Sequence, residues 1–142
     1  MSAHNPHKKA FTLIELLVVV AIISMMASII LSSLNQARSK SRDARRVADV
    51  KQLQLALSLY YNDKGTYPSA LSALSPDYIS VVPNDPGPAA GVSYTYAQNT
   101  NSYVLQAKLE NQDAVLNNDV DATTLGVTCS DSASGWYYCV TP

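Results

Sequence analysis

Few residues in this 142-residue chain have a type and spacing that could do chemistry. Glu15 is the only charge between Phe11 and Leu34, Cys129 and Cys139 bracket residues 130–138, and Asp113, Asp119 and Asp121 alternate with Asn111, Asn117 and Asn118 in an oxygen-rich stretch. Catalysis finds no support. Both histidines, His4 and His7, fall at the extreme N-terminus, there is no Gly-rich phosphate loop, and no nucleophile has a base at a recognisable spacing. Two thiols with no His beyond position 7 do not complete a tetrahedral metal site, and CxxC is absent. The oxygen-rich stretch lacks EF-hand spacing, so a solvated polar loop is the simpler reading and no metal ligands are assigned. What remains is binding or structural work.

The elements that carry these residues are of unlike kinds. Composition is 47% hydrophobic and 15% charged with a net charge of -1, which resembles an average soluble protein. The average conceals an uncharged run from Leu16 to Ala37. As a helix those residues reach about 33 Å, enough to cross a hydrocarbon core of about 30 Å. A secretory signal peptide fits poorly, because its apolar region is about 7–15 residues long and ends at a small-x-small site, whereas this run passes directly into a basic helix. A carboxylate at mid-bilayer costs about 2.5–3.5 kcal/mol, so Glu15 either sits at headgroup depth or has a partner.

Its neighbours favour a partner. Lys8-Lys9-Ala10-Phe11-Thr12-Leu13-Ile14-Glu15-Leu16-Leu17 resembles the processing and methylation site of type IV prepilins, a family that includes pilus subunits and type II secretion pseudopilins. The resemblance implies a leader at residues 1–10, cleavage between Ala10 and Phe11 by a membrane prepilin peptidase, and N-methylation of Phe11. It gives Glu15 an assembly role: in a filament the buried carboxylate of an incoming subunit pairs with the amino terminus of a neighbour, so its desolvation is offset only in the correct register. Ala10 stands where Gly is usual, which implies slower cleavage. Ser32 stands where many members have a kinking Pro, which implies a more continuous helix. Implied partners are further copies of the chain, the peptidase, an inner-membrane assembly platform and the membrane itself. The implied location is the bacterial inner membrane for the precursor, with the head extracytoplasmic, then an extracellular pilus or a periplasmic pseudopilus.

Residues 11–34 are thus read as the membrane and filament-core half of a helix, and 35–64 as its amphipathic half. Arg38 to Asp63 contains no Gly or Pro, Val50, Leu53, Leu57 and Tyr60 share one face with Ala56 beside them, and Gly65 and Pro68 end the helix. Arg38, Lys40, Arg42, Arg45, Arg46 and Lys51 form a basic collar. Three readings of it stay open: a solvated face, phosphate contacts to lipid or nucleic acid, and pairing with acidic heads of neighbouring copies. Residues 66–142 carry one Lys against seven acidic side chains, which supports the last. By the positive-inside rule the collar would hold the head in the cytoplasm; the prepilin resemblance implies the opposite.

The head, residues 65–142, opens with a Pro-rich connector anchored by Leu71, Leu74, Tyr78, Ile79 and Val82. Tyr60 to Pro68 and Val82 to Pro86 are similar to the major pseudopilin of type II secretion. Strands are expected over Val92–Ala97 and Tyr103–Leu109, joined by a turn at Gln98–Asn101, with a third at Trp136–Val140. The expected fold is α+β and type IV pilin-like: a long N-terminal helix packed against a small antiparallel sheet. In an exported head Cys129 and Cys139 are expected to pair, as pilins often close a C-terminal surface region with a disulfide. Calcium enters only through the resemblance, because major pseudopilins bind it in a head loop. Two roles compete, a type IV pilus subunit and a secretion pseudopilin; a membrane-anchored extracytoplasmic binding module is the rival from another class.

Overall fold

The computed structural model describes residues 11–87, 91–132 and 135–142, so Ala10 of the expected cleavage site lies outside the described residues. Helix α1 runs from Leu13 to Lys64, 52 residues with no Gly or Pro to interrupt them. Ser32 marks no break in it. Ser24 and Ser28 return their hydroxyls to the carbonyls of Val20 and Ser24, which satisfies them inside an apolar stretch. The helix ends where Gly65 turns to φ +70° and donates its N–H to the Tyr61 carbonyl at 2.8 Å. That left-handed conformation is the one glycine adopts without steric cost.

The chain divides into two compact units, the second being Arg38–Pro142. In the first, every described residue up to Ala37 is exposed, and the stretch is long and apolar enough to cross a membrane.

In the second unit three antiparallel strands, β1 (Thr95–Gln98), β2 (Tyr103–Leu109) and β3 (Trp136–Val140), form a sheet in the order β1-β2-β3. The two pairings centre on Tyr96 opposite Leu105 and Ala107 opposite Tyr138. This long helix with a small antiparallel sheet is the expected α+β, type IV pilin-like fold. The β1–β2 turn is tied by Asn99, whose side-chain oxygen accepts from the N–H groups of Asn101 and Ser102.

Alternation along β2 decides the layering. Tyr103, Leu105, Ala107 and Leu109 face Val50, Leu53, Ala56 and Leu57 of α1, and Leu71, Leu74 and Ile79 of the connector close the same core. Val104, on the other face, packs with Cys129 and Cys139 under Val120 and Val127. The sheet is therefore covered twice, by the helix and by the C-terminal disulfide segment.

Strand β1 starts at Thr95, three residues later than the alternation from Val92 suggests. The Val92 carbonyl accepts instead from the Asp85 N–H at 2.9 Å, and the Tyr94 hydroxyl reaches Asp49 on α1 at 2.7 Å. Contacts to the connector and the helix replace the ladder there.

Candidate functional site

The N-terminal constellation is built on the start of α1. Phe11 and Thr12 precede the helix, and the Thr12 Oγ1 accepts a hydrogen bond from the Glu15 N–H at 3.3 Å. Thr12-Leu13-Ile14-Glu15 has the spacing of a capping box, in which Ser or Thr caps the helix and Glu occupies its first turn, where the helix dipole favours negative charge. The sequence reading of Glu15 as a membrane and assembly charge leaves out Thr12, although the S/T-x-x-E pattern marks it as a helix cap. Phe11 and Glu15 are both exposed.

A second constellation lies where the basic collar meets the head. Arg46 is 4% exposed; its Nη1 donates to Asp43 Oδ1 (2.7 Å) and Glu110 Oε1 (2.9 Å), and its Nε and Nη2 grip both oxygens of Asp85 (2.9 and 2.8 Å). Asp43, 2% exposed, accepts from the backbone N–H groups of Glu110 and Asn111 and from the Asn111 amide, all within 2.9 Å. Arg42 adds a bond from Nε to Glu110 at 2.7 Å. Gly87 also belongs here: its N–H donates to Asp85, and a Cβ at that position would lie 2.8 Å from Asp85 Oδ1.

The charges hold one another in the ionised form. Hydrogen bonding from Arg42 and then Arg46, against the opposing effect of burial, brings Glu110 down to about 2. Arg46 likewise holds Asp85 below the usual carboxylate range. Burial opposes the charge on Arg46, but its bonds to Asp85, Glu110 and Asp43 outweigh that and raise it. Nearby, burial and then the bond to Asp49 raise Tyr94.

This corrects the reading of the collar. Arg46 is buried and satisfied by carboxylates of its own unit, and Arg42, half-buried, is already paired with Glu110. The signal was the apolar stripe itself: continued toward the N-terminus from Leu57, Leu53 and Val50, the same face lands on Arg46, Asp43 and Ser39.

On the far side of the sheet Cys129 and Cys139 form a disulfide, S–S 2.08 Å, with both cysteines fully buried. In the oxygen-rich stretch beside it, three of the side chains are committed separately. Asp113 caps the 3-10 turn Ala114–Asn118 by accepting from the Val115 N–H, Asn111 turns to Asp43, and Asp119 Oδ2 accepts from the Cys139 N–H at 2.9 Å. The buried Asp119 Oδ1 has no hydrogen-bond partner among the described residues. Burial raises Asp119 above its ordinary value. Among the described residues no three His, Cys, Asp or Glu side chains are grouped to hold a metal ion.

The first constellation falls in a stretch that resembles known proteins. The family model of the prokaryotic N-terminal methylation motif matches residues 5–31, a stretch that includes Phe11, Thr12 and Glu15. The N-terminal segment carries the prokaryotic N-terminal methylation motif. The chain is 33% identical over 67 residues, 47% of its length, to the type II secretion system core protein G of Pectobacterium carotovorum subsp. carotovorum, covering 43% of that protein. It is equally similar over 67 residues to the type IV major pilin protein PilA of Myxococcus xanthus, covering 30% of it. Fimbrial protein EcpC of Eikenella corrodens is 42% identical over 64 residues, covering 40% of that protein. The chain thus spans less than half the length of each of these relatives. No solved structure matches it. The matched motif coincides with a capped helix start that has a carboxylate in its first turn, and the ion cluster and disulfide shape the second unit.

Proposed function

We propose that this chain is a structural subunit, not an enzyme, made as an inner-membrane prepilin and polymerised into an extracellular type IV pilus that serves adhesion, twitching motility or DNA uptake. Residues 1–10 are the leader, prepilin peptidase cuts between Ala10 and Phe11, and the new amine of Phe11 is methylated. The observation that carries this reading is the N-terminal methylation motif opening a helix whose residues up to Ala37 are largely apolar and exposed on every side. An all-round apolar helix is stable only when covered, by lipid before assembly and by other copies after it. Glu15 gives that covering a register, because its desolvation is offset only opposite a neighbour's amino terminus.

The type II secretion reading, a periplasmic pseudopilus, is favoured by the similarity to core protein G; the disulfide-closed C-terminal segment supports the pilus. Deleting the chain separates them: loss of long surface filaments supports the pilus, while unchanged filaments with blocked exoprotein release support the pseudopilus. Mass spectrometry of the mature N-terminus tests the common part. A methylated Phe11 is expected; any other N-terminus sinks the reading. Glu15→Leu should insert normally and assemble poorly, whereas intact function would point to a simple membrane-anchored binding module.

A further inference from the structure

The ion cluster removes Arg42 and Arg46 from the collar and shows which charges are left for a partner. Arg38, Lys40 and Lys51 are exposed and form no ion pair among the described residues, and Arg45 has only a 3.9 Å contact to Asp49. At 100° per residue these side chains flank an outward strip of α1 that carries Ala44, Ala48, Leu55 and Leu59. That strip faces away from the core: Leu55 is 62% and Leu59 46% exposed, while Leu53 and Leu57 are fully buried.

The complement lies on the opposite side of the same unit. Helix α1 covers one face of the sheet and the disulfide segment, residues 119–131, covers the other. That segment presents Asp121, exposed, and Asp131, half-buried, and burial keeps the nearby Asp119 short of solvation. The one basic side chain beyond Lys64 is Lys108, whose ammonium is engaged 5.6 Å over the Tyr137 ring.

We propose that a second copy of this chain lays its acidic disulfide segment on the basic, Leu55–Leu59 face of the first copy's helix. The two patches differ and lie on opposite sides of one unit, so the contact is heterologous, the kind that repeats from copy to copy and that an open filament requires, rather than the self-paired contact of a two-fold dimer. Anionic headgroups would suit the basic face too, but the complementary acids stand in this chain, on every copy. The proposal rests on the filament reading and gives it a specific lateral contact.

Charge exchange in the full chain tests it, with sheared filament yield at low ionic strength as the readout. Lys40→Glu with Lys51→Glu reverses the helix face, and Asp121→Lys reverses the segment; all three side chains are exposed, and disulfide formation reports correct folding of each variant. Each reversal should lower yield about tenfold or more, and a chain carrying both should recover to within about threefold of the unmodified chain. Wild-type yield should also fall as salt rises. A combined chain no better than the single reversals, or yields indifferent to all of them, overturns the contact while leaving the filament reading intact. If the helix reversal lowers yield while Asp121→Lys is silent, the basic face serves another partner, such as anionic headgroups, and the proposal falls. A wild-type chain that never polymerises overturns the filament reading, and this contact with it.

Discussion

Arg46 is the residue on which the second unit is most exposed to damage. Its guanidinium satisfies three carboxylates drawn from α1, the connector and the end of β2. Removing one partner of a buried pair leaves the other charge uncompensated, so Arg46→Ala should lower unfolding stability by about 3–5 kcal/mol, read by urea titration of the full chain in detergent. A loss below about 1 kcal/mol would mean that the backbone donors to Asp43 suffice alone. The same cluster sets a pH dependence. Glu110 falls from an ordinary 4.5 to about 2, and Asp85 is held below 3.8. Folded values below the unfolded ones mean that this stabilisation is complete above about pH 4.5 and is lost as pH falls toward 2. Asp119, raised by burial, acts in the opposite sense, since protonating it relieves a cost. Melting temperature should therefore drop between pH 4.5 and 2, and Glu110→Gln should flatten that part of the profile; an unchanged slope would remove Glu110 as its source.

At the scale of elements, α1 carries two faces that obey different rules. Leu57 is fully buried against the sheet, so Leu57→Ala should cost about 2–5 kcal/mol. Leu55→Ala, on the outward face, should stay within about 0.5 kcal/mol in the unassembled chain. Equal losses at the two positions, measured side by side by denaturant unfolding, would contradict the packing described. The helix and the hairpin were legible because period is a local signal: 3.6 along Val50, Leu53 and Leu57, and 2 along Tyr103 to Leu109. The start of β1 was not legible, because it depends on Asp85 taking the Val92 carbonyl, a contact between segments that no local pattern encodes. The ion cluster was half legible. Its residues continue the core stripe, but Arg and Asp at those positions read as a solvated face unless a partner is known to approach. Thr12 was legible and was outweighed by the membrane argument for its neighbour Glu15.

At the scale of the whole molecule, the described part of Arg38–Pro142 holds two separate apolar clusters on the two faces of one thin sheet. The larger joins α1, the connector and the odd-numbered side chains of β2. The smaller is little more than Val104 and the disulfide, with Gln106 pinning the segment by donating to the Thr128 carbonyl at 2.7 Å. Such a segment has few apolar contacts of its own and depends on its covalent tie. A bridge between residues ten apart contributes up to about 3 kcal/mol on the chain-entropy model. Replacing both cysteines by Ser should therefore open the 119–131 segment before the helix and sheet core. In hydrogen exchange of the variant, amides of 119–131 should lose protection first, while those of β2 and of α1 beyond Asp43 keep theirs. Proteolysis should nick the segment at denaturant concentrations that leave the core intact. Simultaneous loss across the unit would show that the two clusters unfold as one, and the disulfide would then support the whole head rather than one of its layers.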